Sequence, residues 1–408
     1  MPPDAPVEKP LHRRLTNQIF DGSSGKVFRG MATLAIGSGI GRLVGIAAIP
    51  VLTRLYSPEE FGVLAIFTSF VAILSPLVTL RFSLAVPLAR HDGLAMNVMA
   101  LSAGLMLGHS VLIAVLLWAW GAPLLGLISM DVLARWWGLI SVGVLGTATY
   151  ELLTMWATRQ RAYRVIARTN VAQSVAGATV KIALGIMAVK PLGLLLGQVL
   201  AQVGGVGKLW RSFAVEFRAN RRHIRWSRIR KVAWRYRSFP IYRVPSHFLL
   251  VFSMQAPMLI SAAFFQPLEV GNLSVAFMSI TIPASILSTN IEKVQFAEAS
   301  KLRNEPVKLY WLTRSVFLKT SILSVIPAAV IFFASPPLLP ILLGDDWRLA
   351  SDLASVLGLT LVTQMASQAV VSTLSTIDRN RTFLWFNLMR FVAATTALII
   401  PPLLGADV

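Results

Sequence analysis

The chain has 408 residues, 55% of them hydrophobic and 14% charged, with mean hydropathy +0.66, whereas soluble proteins carry about 25% charged residues. With 38 Lys and Arg and 18 Asp and Glu, there is too little polar side chain to clothe such a core in water, so lipid must be the solvent for most of the chain. The absence of Cys excludes disulfide frameworks, thiolate metal sites and Cys nucleophiles.

Residues 1–30 form a polar tail with Pro2, Pro3, Pro6 and Pro10. The apolar stretch that follows is too long for a signal-peptide core, so it reads as a retained helix. Crossing the hydrocarbon takes about 20 mostly apolar residues, and eleven such stretches occur. Six lie before residue 208: 31–52, 61–80, 94–119, 136–158, 169–189 and 191–207. Five follow residue 243: 244–268, 270–291, 320–344, 353–377 and 382–404. Between the third and fourth, 120–130 is apolar but holds Gly121, Pro123 and Gly126, which predicts a loop or re-entrant turn.

The segment 208–243 divides six spans from five and carries RRHIRWSRIRKVAWRYR over 221–237. Arg interleaved with Trp and Tyr also lines single-stranded nucleic-acid grooves. Here Trp226, Ile229, Ala233 and Tyr236 recur at helical spacing against an Arg-rich face, the pattern of an interfacial helix lying on anionic lipid headgroups, with no nucleic acid required.

With the N-terminus placed in the cytoplasm, 31 of the 38 Lys and Arg fall on the cytoplasmic side, and only Arg54, Arg135, Lys190 and Arg348 fall opposite. That asymmetry predicts an N-in, multi-pass protein and accounts for the net charge of +20. The domain plan is a tail over 1–30, a helical bundle over 31–207, a basic cytoplasmic linker over 208–243 and a second bundle over 244–408.

The two bundles echo each other. Pro58-Glu59-Glu60-Phe61-Gly62 follows span 1, Pro267-Leu268-Glu269-Val270-Gly271 follows span 7, and both read Pro-x-Glu-x-Gly. APLLGLI at 122–128 is matched by PPLLPILL at 336–343. These offsets predict an all-α polytopic fold of two pseudo-symmetric six-helix-type bundles around a central cleft, a transporter architecture. A second bundle matching the first would call for a twelfth span, the partner of span 6, beyond these eleven.

The stretch IPVLTRLYSPEEFGVLAIFTSFVAILSPLVTLRFSLAVPLARHDGLAMNVMALS (49–102) closely resembles the start of bacterial polysaccharide and O-antigen flippases of the Wzx type, in the multidrug/oligosaccharidyl-lipid/polysaccharide exporter superfamily. ATRQRAYRVIARTNVAQSVAGA (157–178) and LLPILLGDDWRLASDL (338–353) are similar to two further segments of that family. The resemblance implies export of an undecaprenyl-diphosphate-linked oligosaccharide, in polysaccharide or lipopolysaccharide biosynthesis, across the bacterial cytoplasmic membrane.

Charges inside spans face a partner or a wet cavity. Arg42, Lys181 and Arg390 are three such bases and Glu151 the one acid well inside a span. A cleft lined by Arg42 and Lys181 suits a diphosphate, since a guanidinium grips phosphate oxygens with two hydrogen bonds. Arg390 and Arg81, the latter at the cytoplasmic mouth, are further substrate contacts, while Arg90 is ordinary positive-inside charge. Glu151 either neutralises Arg42 or Lys181 or carries a coupling H+ or Na+. The stripe Gly37, Gly41 and Gly45 is a packing surface. The His residues are scattered and Asp345-Asp346 sits on a short loop, so no metal, cofactor or catalytic site is expected. Two alternatives stay open: a cation-coupled drug exporter of the same fold, and a membrane glycosyltransferase or O-antigen polymerase.

Overall fold

The computed structural model describes residues 23–126, 131–281 and 305–376, with isolated positions between 295 and 302 and between 385 and 400. Among the described residues all regular structure is helical. In chain order these are α1 (Ser23–Leu55), α2 (Pro58–Val78), α3 (Asp92–Gly126), α4 (Trp137–Arg159), α5 (Tyr163–Ile186), α6 (Leu192–Val203), α7 (Val206–Asn220) and α8 (Trp226–Arg235). They continue as α9 (Val244–Phe264), α10 (267–281), α11 (Pro306–Leu343), α12 (Arg348–Gly358) and α13 (Thr360–Thr376).

Seven of these helical stretches are long and apolar enough to cross a membrane, and α12 with the first turns of α13, bent by 50°, makes an eighth. The fifth predicted span is the 24-residue α5, whose Asn170, Gln173, Ser174 and Lys181 lower its apolar content. The eighth is present as α10, and its remainder and most of 382–404 lie outside the described residues.

Three boundaries differ from expectation. Helix α1 starts at Ser23, inside the predicted tail. Helix α3 runs unbroken to Gly126, so the loop or re-entrant turn predicted for 120–130 is helical as far as it is described. The first third of the predicted linker is α7, which packs Leu209, Phe213 and Phe217 into the protein and forms one long span with α6.

Pro123 in α3 and Pro327, Pro336, Pro337 and Pro340 in α11 would break helices in water. In lipid the backbone has nothing else to bond to, so the helix persists and neighbours satisfy the freed carbonyls. One such substitution is visible. Pro340 cannot donate to the Pro336 carbonyl, and Ser351 Oγ on α12 donates to the Ser335 and Pro336 carbonyls at 3.2 and 3.5 Å.

The helices alternate between two ends of the molecule, here named after Pro58 and Arg81. Near the Arg81 end a core gathers Leu152, Trp156, Phe213, Phe217 and Val232. Trp156 Nε1 donates to Glu216 at 3.0 Å while its ring meets Phe217 edge-on, centroids 5.2 Å apart. Helix α8 is pinned there, since Asn97 at the start of α3 donates to the His223 carbonyl and accepts from the Arg225 N–H. Its packed face centres on buried Val232, while Trp226 and Trp234 are exposed.

Helix α1 lies along α5. A Cβ at Gly37 would come within 2.5 Å of Ala167 Cβ and one at Gly41 within 2.9 Å of Ser174 Oγ, whereas Gly45 faces open space. Two of the three stripe glycines therefore pack helices together.

At the Pro58 end the repeated motifs touch each other. A Cβ on Gly62 would collide with the Pro267 carbonyl oxygen, and one on Gly271 with the Pro58 carbonyl oxygen, a reciprocal contact across the two bundles. Phe61 stacks edge-on with Trp347 at 5.1 Å, and Trp347 Nε1 donates to the Thr53 carbonyl at 3.0 Å. Phe61, Val270, Leu343, Trp347 and Ala350 share one core with Leu52 and Tyr56. Tyr56 donates its hydroxyl to the Lys181 carbonyl at 2.7 Å. Burial, helped by the Glu60 charge, pushes its pKa up to about 12, keeping it a donor.

Candidate anion site between the two bundles

The strongest concentration of buried charge lies at the Arg81 end. Helix α2 stops after Val78, and the chain turns through Leu80 (φ +46°) and Arg81 (φ +59°) before the single turn Phe82–Ala85. Two successive left-handed residues without glycine are strained, a cost of order 1–2 kcal/mol each. The turn aims the Arg81 side chain inward, where Nη1 donates to Glu151 Oε1 at 3.3 Å. Ser83 Oγ donates to the same oxygen at 3.2 Å. The side chains of Arg81 and Glu151 are only 15% and 22% exposed, and Arg81 Nε is buried with no partner.

Across the gap, Arg243 and His247 at the start of the seventh span are electrostatic neighbours of Arg81. Burial depresses the Arg81 guanidinium below its ordinary range; Glu151 opposes the shift and Arg243 adds to it. Arg81 alone holds the carboxylate, and Arg243 adds a second positive charge nearby. The site keeps a net positive charge and an unused donor, the electrostatics of a place that accepts an anion from both sides.

Glu151 therefore pairs with Arg81, not with Arg42 or Lys181. Arg42 is exposed and makes no ion pair among the described residues. It shares a face of α1 with Ile49 and Thr53, seven and eleven residues on, and the Thr53 carbonyl bonds Trp347 of the second bundle. Lys181 sits between α5 and α6, where Nζ donates to Gln198 Oε1 at 2.7 Å. Gly41 faces Ser174 while Tyr56 reaches Lys181, an offset of seven residues or about 10 Å along α5. Gly41, next to Arg42, and Lys181 thus pack at different levels of α5.

Arg390 is half-buried, next to Phe391, which packs on Phe252 of α9. Arg90 is exposed. A groove of 830 Å³ opens beside Arg54 at the Pro58 end, lined also by Asp345, Arg348 and Asp352, and none of the expected substrate contacts lines it. Arg243 and His247 were missed in the sequence because they lie in a segment that reads as linker and helix start. Among the described residues no cluster of His, Asp and Glu has the makings of a metal site.

The comparisons with known proteins follow this geometry. The family described as "Polysaccharide biosynthesis protein" matches residues 51–352. A similar relative is the succinoglycan biosynthesis transport protein ExoT of Rhizobium meliloti (strain 1021), 23% identical over 358 residues, covering 86% of this chain and 69% of the relative. Among solved structures, the inward-facing conformation of a multidrug resistance MATE family transporter of the MOP superfamily matches with a TM-score of 0.50 at 14% identity, over 96% of both chains. The fold is accordingly that of a multi-pass transporter with two pseudo-symmetric helical bundles, and the chain belongs to the polysaccharide biosynthesis protein family.

Proposed function

We propose that the protein is a flippase that carries an undecaprenyl-diphosphate-linked oligosaccharide from the inner to the outer leaflet of the bacterial cytoplasmic membrane by alternating access. The observation that carries this is the buried Arg81–Glu151 pair, with Arg81 Nε unpartnered and Arg243 and His247 near enough to act on the Arg81 charge. A diphosphate entering there would meet fixed guanidinium donors, while a cationic drug would meet net positive charge. Arg42, on the face of α1 turned toward the second bundle, is the next contact inward, followed by Lys181 and Arg390. The lipid tail stays in the bilayer throughout.

In this proposal the Arg81 end is cytoplasmic, in line with the basic loops gathered there. Helix α8 lies on anionic headgroups with exposed Trp226, Trp234, Arg228, Arg230 and Arg235. Two negative charges moving outward through an inside-negative potential gain about 2.3 kcal/mol each per 100 mV. Voltage alone can therefore bias export, and coupling to H+ or Na+ would fall to Glu151, whose release from Arg81 the arriving diphosphate would compete for.

Two measurements test the proposal. In proteoliposomes, a labelled oligosaccharide on undecaprenyl diphosphate should become accessible from the opposite leaflet, while cationic dyes are not moved; dye transport without lipid translocation would overturn it. For orientation, single cysteines at Arg222 and Asp346 suit this Cys-free chain. In intact cells an impermeant maleimide should label Asp346→Cys and spare Arg222→Cys, and the reverse pattern would invert the topology.

A further inference from the structure

We infer that the paired motifs Pro58–Gly62 and Pro267–Gly271 are the lips of a seal that closes the passage at the Pro58 end, and that each transport cycle parts them. The inference rests on the two-bundle transport proposed above and adds the element that must open. Its basis is a contact built from backbone. The carbonyl oxygens of Pro58 and Pro267 each occupy the space that a Cβ on the opposite glycine would need, and a Cβ on Gly62 would also stand 3.2 Å from Gly271 N. Only glycine at both positions lets the two segments meet this closely. Pro58, Gly62, Val270 and Gly271 are all buried, so the contact excludes water.

The same contact is made to separate cheaply. Each lip is the first turn of a helix with proline at its start, α2 at Pro58 and α10 at Pro267. A proline has no N–H to leave unsatisfied when the lips part. The lip on α2 is internally fixed, because Glu60 accepts the Ser57 N–H at 2.9 Å, so it moves as a unit. Among the described residues no ion pair crosses the seam. The polar ties across it nearby are the single bonds from Trp347 to Thr53, from Arg54 to Ile341 at 3.4 Å, and none that strands a buried charge when it breaks.

The test uses the full chain in nanodiscs, where both faces are accessible, with a single cysteine at Ala350. That side chain is fully buried just behind the seam, where the Ala350 N–H bonds Asn272 at 3.0 Å. Maleimide should label Ala350→Cys slowly in the parent chain and about tenfold faster once Gly62→Ala or Gly271→Ala is added, the shift expected from ordinary overpacking. Gly177→Ala crowds Ala201 inside the first bundle and should leave the rate unchanged. Equal labelling in parent and seam variants, or equal acceleration by Gly177→Ala, would overturn the inference. These readouts do not depend on what is carried, so they stand whether or not the lipid-linked sugar is the substrate. Should the glycine variants fail to accumulate, Glu59→Cys with Leu268→Cys places thiols on the exposed second residue of each lip. A short bis-methanethiosulfonate, which forms a disulfide with each thiol and releases methanesulfinate, should then arrest turnover and reduction should restore it; undiminished turnover in the fully cross-linked protein would count against the seal.

Discussion

Arg81→Ala should reduce surface polysaccharide at least about tenfold at unchanged membrane abundance, since charge-assisted hydrogen bonds contribute about 1.5–3 kcal/mol each. The change removes the only arginine that already holds a partner in the anion site and leaves Glu151 with Ser83 alone. An uncompensated carboxylate then faces the arriving diphosphate, so repulsion adds to the lost attraction. Arg81→Lys should restore export only in part, because an ammonium supplies a point charge where the guanidinium supplies a fork. The measurement is cell-surface polysaccharide normalised to membrane protein. Full export by Arg81→Ala would remove Arg81 from the substrate path and leave its pair with Glu151 a structural one.

The second large effect is on stability. Trp156 is fully buried, packs edge-on against Phe217 and donates to Glu216. Trp156→Ala should destabilise the protein by about 3–5 kcal/mol, the usual cost of emptying so large a site, with an added penalty because Glu216 loses its donor. Thermal unfolding in detergent should show a marked drop in midpoint, and Trp156→Phe, which refills most of the volume without the donor, should recover most of it. An unchanged midpoint in Trp156→Ala would mean that this core does not limit stability.

Spans were legible because lipid demands long apolar runs and leaves few alternatives. The same demand hid the end of α3. Gly121, Pro123 and Gly126 read as breakers by rules learned in water, yet the helix continues because no other hydrogen-bonding arrangement is available in the bilayer. The repeat was legible as Pro-x-Glu-x-Gly, but that its two copies touch is a property of the assembled pair of bundles. The charges were found one by one and mispaired. Arg81 reaches Glu151 over 70 residues of sequence through a left-handed turn that no periodicity announces. On α8 the spacing identified an amphipathic helix, but that Val232 would be the residue buried against the protein was set by tertiary contacts.

The seam also has a timetable. Thr53 and Trp347, which bond across it, are 294 residues apart, and at about 5–20 residues per second of synthesis the first waits roughly 15–60 s for the second. During that interval the early helices are already in the bilayer, with the Pro58 lip uncovered. The Ser57–Glu60 bond finishes the start of α2 without help from later residues, and the Trp156 core draws on described residues no later than Phe239. The first bundle is thereby equipped to hold its shape as a nascent chain, and closing the seam becomes a checkpoint that synthesis reaches only once Trp347 has been made.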